Sequence, residues 1–286
     1  MRIHVVANIH RKDALKTAQD TGDWLVSLGH SIGFETESAR AMGLAPLPND
    51  QFPQADLVIA FGGDGTLIRA AHLCSPTGTP ILGVYFGRFG FVTQCTAHDL
   101  KRTVEAFIAG ECEVESRMMI QANLMRSGTP VAVLHALNEV SLQRAVTARM
   151  MTFRVSVDGH KLTSYPADGV LVSTPTGSTA YNLSAGGPIL DPNVQAMVLT
   201  AIAPHTLSAR TLVIRPDSEI SLRVTSEGES MLSVDAITRL HLLSGDEVRV
   251  TQSPRVTNLV TVSDNDFLLK LGHRLFWSKG MVGDPN

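Results

Sequence analysis

Residues 57 to 72 read LVIAFGGDGTLIRAAH. An apolar run, Leu57 to Phe61, meets Gly62-Gly63-Asp64-Gly65-Thr66, and Leu67, Ala70, Ala71 and Cys74 then recur at helical spacing after residue 66. A strand entering a helix through a glycine-rich loop predicts a phosphate cradle. The three glycines admit positive φ and keep side chains away from an approaching phosphate, while N–H groups at the start of a helix attract an anion. Such loops lie at the carboxyl ends of parallel strands. Asp64 has two readings there, a helix cap or a working carboxylate. Among phosphates, a carboxylate makes sense if it binds a metal or takes a proton.

The neighbouring sequence repeats the alternation. Residues 3 to 8, 32 to 36 and 81 to 85 read as strands, and Ala14, Ala18, Thr21, Leu25 and Leu28 mark an amphipathic helix that Gly29 ends. A further helix is expected from Thr96, with Asp99 completing a capping box, through Leu100, Val104, Phe107 and Ile108 to Gly110. Alternating strands and helices predict an α/β domain with a parallel sheet, Rossmann-like, over residues 1–110.

Beyond that point the period falls to two. Phe153, Val155 and Val157 run into Asp158-Gly159, and Ile220, Leu222 and Val224 run toward Glu227-Gly228 before Leu232 and Val234. Both patterns read as hairpins of a mainly β domain over residues 111–265. Residues 266–286 turn helical again and are expected to return to the first domain. A length of 286 residues agrees with about two domains.

Lys plus Arg total 24 and Asp plus Glu 27, for a net charge of −3, so no overall basic field exists to hold nucleic acid or an anionic membrane. Hydrophobic residues at 44% and charged residues at 18% describe a folded globular chain. The start, MRIHVVANIHRKD, meets polar residues too early for a signal-peptide core, and a cytoplasmic protein is expected. Cys74, Cys95 and Cys112 are far apart and form no CxxC, and the ten histidines form no HExxH, which argues against a disulfide framework and a zinc site.

A second stretch, residues 168 to 190, reads DGVLVSTPTGSTAYNLSAGGPIL. Thr174, Thr176, Ser178, Thr179, Tyr181, Asn182 and Ser184 crowd around Pro175 and Gly177, a density of hydroxyls and amides suited to sugar hydroxyls, phosphates and ring nitrogens. Ser178 could equally cap a helix starting at Thr179, which Gly186-Gly187-Pro188 would end. No GxSxG elbow is present, so a serine hydrolase is not indicated. Asn138-Glu139 follows the apolar run VAVLHAL and is either a polar strand end or an amide and carboxylate offered to a ribose diol.

The chain resembles the NAD kinase family. GGDGT alone is shared with diacylglycerol and sphingosine kinases and phosphofructokinases, but residues 168 to 190 match the NAD kinase pattern almost throughout, Asn138-Glu139 stands where that family has its Asn-Glu pair, and PHTLSAR at 204 to 210 is another family stretch. The resemblance implies transfer of the γ-phosphoryl of ATP, or of another donor, to the 2′-hydroxyl of the adenosine ribose of NAD. It implies Mg²⁺ or another divalent cation, and a homodimer or homotetramer. It makes Asp64 the base and a possible metal contact, and Gly62, Gly63, Gly65 and Thr66 the phosphate loop. Its substrate contacts are Gly65, Arg69, Asn138, Glu139, Arg149, Asp168, Thr179, Ala180, Tyr181, Asn182 and Ser184. Phosphoryl transfer is largely positioning and charge neutralisation, so this modest set suffices.

Three positions depart from the family. Tyr85 replaces an amide in Gly83-Val84-Tyr85, Asp235-Ala236-Ile237 stands for a DGQ-like triplet, and Pro166 sits where relatives are often basic. Two rivals remain. A lipid kinase would need an apolar entrance, which the polar 173–184 segment and an aromatic content of 5% oppose, and a non-catalytic nucleotide sensor would have no use for Asp64.

Overall fold

The computed structural model describes residues 1–48, 50–86, 90–92, 95–145, 150–225, 228–261 and 267–274. The chain divides into two units, residues 1–116 with 257–286, and residues 117–256.

In the first unit the elements are β1 (Arg2–Ala7), α1 (Lys12–Ser27), β2 (Ser31–Phe34), α2 (Thr36–Met42), β3 (Leu57–Gly62), α3 (Asp64–Cys74), β4 (Ile81–Tyr85) and α4 (Leu100–Ile108). The strands pair in parallel in the order β2-β1-β3-β4. β1 and β3 are continuous apolar runs because helices cover a parallel sheet on both faces, and Ile3, Val5, Ile59 and Phe61 are fully buried. From β1 the chain goes outward to β2 and then returns to the other side of β1 for β3. The carboxyl ends of β1 and β3 therefore flank a topological switch point, where a crevice opens.

Three boundaries differ from expectation. The helix expected after residue 66 starts at Asp64. α1 stops at Ser27, so Leu28 lies beyond it and is exposed, with Gly29 at φ 82° turning the chain. α4 starts at Leu100, because the Thr96 and Asp99 side chains bond across a preceding turn, with Asp99 N–H donating to Thr96 Oγ1 at 3.0 Å. The short α2, capped by the Glu35 carboxylate on the N–H groups of Glu37 and Ser38, carried no periodic signal.

The second unit and its flanks hold β5 (Val114–Arg126), β6 (Thr129–Ala136), β7 (Glu139–Arg144), β8 (Met151–Val157), β9 (His160–Ala167), β10 (Gly169–Ser173), α5 (Tyr181–Ser184), β11 (Met197–Ile202), β12 (Leu212–Ile214), β13 (Ile220–Val224), β14 (Ser230–Val234), β15 (Thr238–Leu242) and β16 (Glu247–Val260). β5 and β16 run across the unit limits. One sheet has six antiparallel strands in the order β12-β11-β10-β7-β14-β15, and the other carries β16-β13-β8-β9. Inward residues of both, among them Leu142, Val170 and Leu199 from one and Phe153, Leu222 and Val250 from the other, form one core, a β-sandwich.

β8 and β9 form the expected hairpin, with Asp158 and Gly159 both at positive φ as a tight primed turn requires. β13 and β14 do not. β13 pairs with β8 and β16 while β14 pairs with β7 and β15, so the chain changes sheets near Gly228. Glu227 lies outside the described residues. In the β14–β15 turn, Asp235 and Ala236 both sit in the left-handed region, at φ 50° and 56°. An L-residue pays roughly 1–2 kcal/mol there. Ala236→Gly should raise stability by about 0.5–1 kcal/mol after the entropy of the freer unfolded chain is subtracted. A denaturant midpoint that stays put or falls would show the turn to be unstrained.

A helix α6, Phe267–Arg274, covers part of the expected C-terminal helix, whose remainder lies outside the described residues. Among the described residues no helix is long and apolar enough to cross a membrane.

Candidate active site

The glycine loop works differently from expectation. None of Gly62, Gly63 and Gly65 has positive φ, and Gly63 is extended at φ −100°, ψ −169°. Their lack of side chains is what matters. A Cβ on Gly62 would collide with the Thr66 hydroxyl and stand 3.1 Å from the Asn8 Cβ, so Gly62 lets β3 turn into α3 against its neighbours. Cβ atoms on Gly63 and Gly65 would meet nothing within 4 Å. These two open onto a cavity of about 270 Å³ lined also by Asn8, His10, Thr66 and Arg69, at the switch point between β1 and β3. In the first turn of α3 the Thr66 N–H donates back to Gly63 O at 2.9 Å, and the helix dipole is positive at that end.

Asp64 is the first helical residue and does not cap α3. Its Oδ2 accepts from Phe91 N–H at 2.9 Å and its Oδ1 from Val92 N–H at 3.2 Å, so the carboxylate is aimed by another loop of the same unit. Arg69 is held by acids and a carbonyl: Nη1 donates to Glu37 at 2.5 Å, Nη2 donates to Ala7 O at 2.7 Å, and Glu35 lies 3.5 Å away. Burial opposes ionisation of Glu35, but the N–H groups of Glu37 and Ser38, the Ser38 hydroxyl and Arg69 hold its carboxyl below the usual range.

In the second unit, Asn138 sits in the turn between β6 and β7 and Glu139 opens β7, and this junction is clamped by neighbouring residues. Asp235 accepts N–H bonds from Leu137, Asn138 and Glu139 at 2.7, 2.8 and 2.9 Å. Thr174 donates from its hydroxyl to Leu137 O at 2.5 Å and from its N–H to Asn138 O at 2.8 Å. Gly177 packs so tightly that a Cβ would fall 2.5 Å from both Cα and the carbonyl carbon of Asn138. Glu139 is 7% exposed, and its Oε2 is buried with no partner among the described residues, as is Thr176 Oγ1. Burial, then the Asp235 carboxylate, push the Glu139 carboxyl up to about 7 against the lowering effect of the Tyr181 N–H. Burial, then Glu139 and Asp168, push the Tyr181 hydroxyl up, which brings these three groups into one neighbourhood. Asp168 is countered by Arg144 at 3.0 Å.

The 174–184 stretch is a 3₁₀ turn, Thr176–Thr179, then the single turn α5, in place of a helix from Thr179. Ser178 exchanges bonds with Leu190 and caps nothing. Asn182 is fully buried: its Nδ2 donates to Ser178 O and Pro188 O and its Oδ1 accepts from Thr200, so its amide is spent on shaping the loop. Thr179 and Ala180 are half-buried and Ser184 is exposed. Arg149 lies outside the described residues. Tyr85 ends β4, Ile237 is exposed, and the Pro166 carbonyl accepts from His205 N–H at 2.7 Å.

Asn8 and His10 were not anticipated because only the strand order places the loop after β1 beside the glycine loop. Arg144 and the clamping role of Asp235 were missed too, since both depend on pairing between distant strands. The cysteines are free, and burial pushes the thiols of Cys74 and Cys95 up to about 12 and 11, so neither is a nucleophile at neutral pH.

Residues 3–112 match the family described as the ATP-NAD kinase N-terminal domain, and residues 137–262 match the ATP-NAD kinase C-terminal domain. An NAD kinase of Moorella thermoacetica is 40% identical over 288 residues, covering 100% of this chain and 92% of that protein. One from Citrifermentans bemidjiense is 38% identical over 285 residues, covering 97% and 99%. Among solved structures, yeast NADH kinase complexed with NADH superposes with a TM-score of 0.90 at 24% identity, covering 100% of this chain and 90% of that one. An NAD kinase from Archaeoglobus fulgidus in complex with ATP superposes with 0.78 at 23% identity, covering 96% and 99%.

Proposed function

The chain belongs to the NAD kinase family and phosphorylates NAD to NADP, and from that premise we propose how its residues divide the work. The glycine loop and the start of α3 hold the donor phosphates of ATP. Asp64 accepts the proton of the adenosine-ribose 2′-hydroxyl as the γ-phosphoryl is transferred to that oxygen. Asn138, Glu139, Asp168, Tyr181, Thr179, Ala180, Arg69 and Arg149 contact the substrates.

The observation that carries this reading is the open face of Gly63 and Gly65 over the N-terminus of α3, with a carboxylate at its first position. A catalytic carboxylate needs only to reach the hydroxyl, because positioning and charge neutralisation supply most of the rate. Among the described residues no group of three or more His, Cys, Asp or Glu could cage a metal. A divalent cation would arrive with the nucleotide as its metal complex, and Asp64 is the carboxylate of the loop that would face it. When bound, it neutralises phosphate charge. A cytoplasmic homodimer or homotetramer belongs to the same reading.

The test offers purified protein ATP and Mg²⁺ with NAD, NADH, diacylglycerol or sphingosine and separates the products. NADP should form, and phosphorylation of lipid without NADP would overturn the reading. Gly63→Val makes the test specific, because its Cβ would meet nothing within 4 Å yet would stand in the space proposed for the phosphates. With a native-like circular dichroism spectrum, its kcat/KM for ATP should fall about a hundredfold while NAD affinity changes little.

A further inference from the structure

Asp235 lies in the β14–β15 turn, yet its carboxylate reaches across to the Leu137–Glu139 segment. Its two carboxylate oxygens take the N–H groups of Leu137, Asn138 and Glu139, and its own N–H donates to Glu139 O at 3.0 Å. The side chain is 5% exposed and its backbone is held at φ 50°. Three N–H donors converge on this one buried side chain. Beside it, Glu139 is closed in, with one oxygen lacking a hydrogen-bond partner among the described residues, a costly arrangement for an anion and a cheap one for a carboxylic acid.

We propose that Asp235 is a positioning residue for NAD binding: its carboxylate fixes the turn that presents Asn138 and Glu139, and its charge keeps the Glu139 carboxyl available as a hydrogen-bond donor to the dinucleotide. This rests on the reading of Asn138–Glu139 as dinucleotide contacts. A ribose hydroxyl can donate to a carboxylate or accept from a carboxylic acid, whereas an adenine ring nitrogen only accepts, so the acid is the form that can bond to either group. The raised Glu139 carboxyl, near 7, agrees with the geometry.

The groups that face Glu139 are Asp235 from the β14–β15 turn and, from α5, the Tyr181 N–H, which donates to its carboxylate, and the Tyr181 hydroxyl, which stays neutral at physiological pH. Asp168, sensed through Tyr181, carries Arg144 as counter-charge. The sign follows from these neighbours. Below about 7 Glu139 is protonated and donates, and above it the two carboxylates repel each other and the donor is lost. KM for NAD should therefore rise as pH passes through that value, with kcat less affected.

Asp235→Asn removes the charge but keeps the shape. It should move the KM inflection down by about one pH unit and raise KM about tenfold at neutral pH, because one amide oxygen cannot replace two carboxylate oxygens. Glu139→Gln leaves Asp235 in place, remains a donor, and should erase the inflection. A second readout needs no substrate. In protein labelled with ¹³C at the glutamate carboxyls, the resonance absent from Glu139→Gln should titrate near 7 and shift downward in Asp235→Asn. An unmoved midpoint in Asp235→Asn, even with a raised KM, would leave Asp235 only a structural support and overturn the proposal. Should Asp235→Asn fail to fold, the native titration decides: a Glu139 resonance in the ordinary carboxylate range refutes it. Absence of NADP formation with an intact carboxyl shift would instead count against the functional reading.

Discussion

Asp64→Asn should lower kcat by about 10² to 10⁴, roughly 2.7 to 5.4 kcal/mol of transition-state stabilisation, while the protein stays folded. Asn keeps the size of the side chain but cannot accept a proton at neutral pH. The structure attaches a second cost. The Asp64 oxygens take one N–H each from Phe91 and Val92, and in the variant an amide NH₂ must face one of those donors. That mismatch should take about 1–2 kcal/mol from stability, more than the few tenths that exchange of a helix cap would cost. NAD affinity should change less than about tenfold, since the lost interaction belongs to the transition state. Activity recovered by raising Mg²⁺ would assign part of the loss to metal contact. Retention of more than about a tenth of native kcat would refute the base.

Gly177→Ala is expected to be severe for a different reason. The added methyl must occupy space held by the main chain of Asn138, which is pinned by Asp235 on one side and by Thr174 on the other. Backbone cannot swing away as a flexible side chain would, so the turn itself must move. We expect a stability loss of about 3 kcal/mol, at the upper end of overpacking costs, and a KM for NAD raised about a hundredfold by displacement of Asn138 and Glu139. Gly186→Ala is the control. It lies at φ 84° with nothing within 4 Å of the new Cβ, so it should cost about 1 kcal/mol of stability and leave KM unchanged. Urea unfolding and steady-state kinetics on the pair decide the matter, and similar KM values in both variants would remove the contact argument.

Local chemistry was readable wherever it was local in the chain. The run from Leu57 through Thr66 contains its own strand, turn and helix start, and Asp158-Gly159 carries its own turn geometry. What failed depended on partners far along the chain. Ile220–Val224 and Ser230–Val234 each alternate like hairpin arms, yet each finds its neighbours elsewhere, because burial of an apolar face is satisfied by whichever sheet the chain reaches. The bonds of Asn182 to Ser178, Pro188 and Thr200 likewise could not be read from the 174–184 stretch alone. Asp235 stood within a recognisable triplet, but three N–H donors more than ninety residues away could not be read from it.

The first unit is assembled from both ends of the chain, with Leu259 of β16 pairing in parallel with Ile81 of β4. During synthesis the second unit is made as one uninterrupted piece, whereas the first waits for a segment about 180 residues downstream of its own sheet. Closing so long a loop adds a modest entropic cost but makes the pairing slow. Until that segment leaves the ribosome, the Ile81 end of β4 is an unpaired apolar edge, the kind of surface on which nascent chains aggregate or recruit chaperones. The period of greatest vulnerability for this molecule therefore falls after its phosphate loop has been made and before the strand that closes its sheet has arrived.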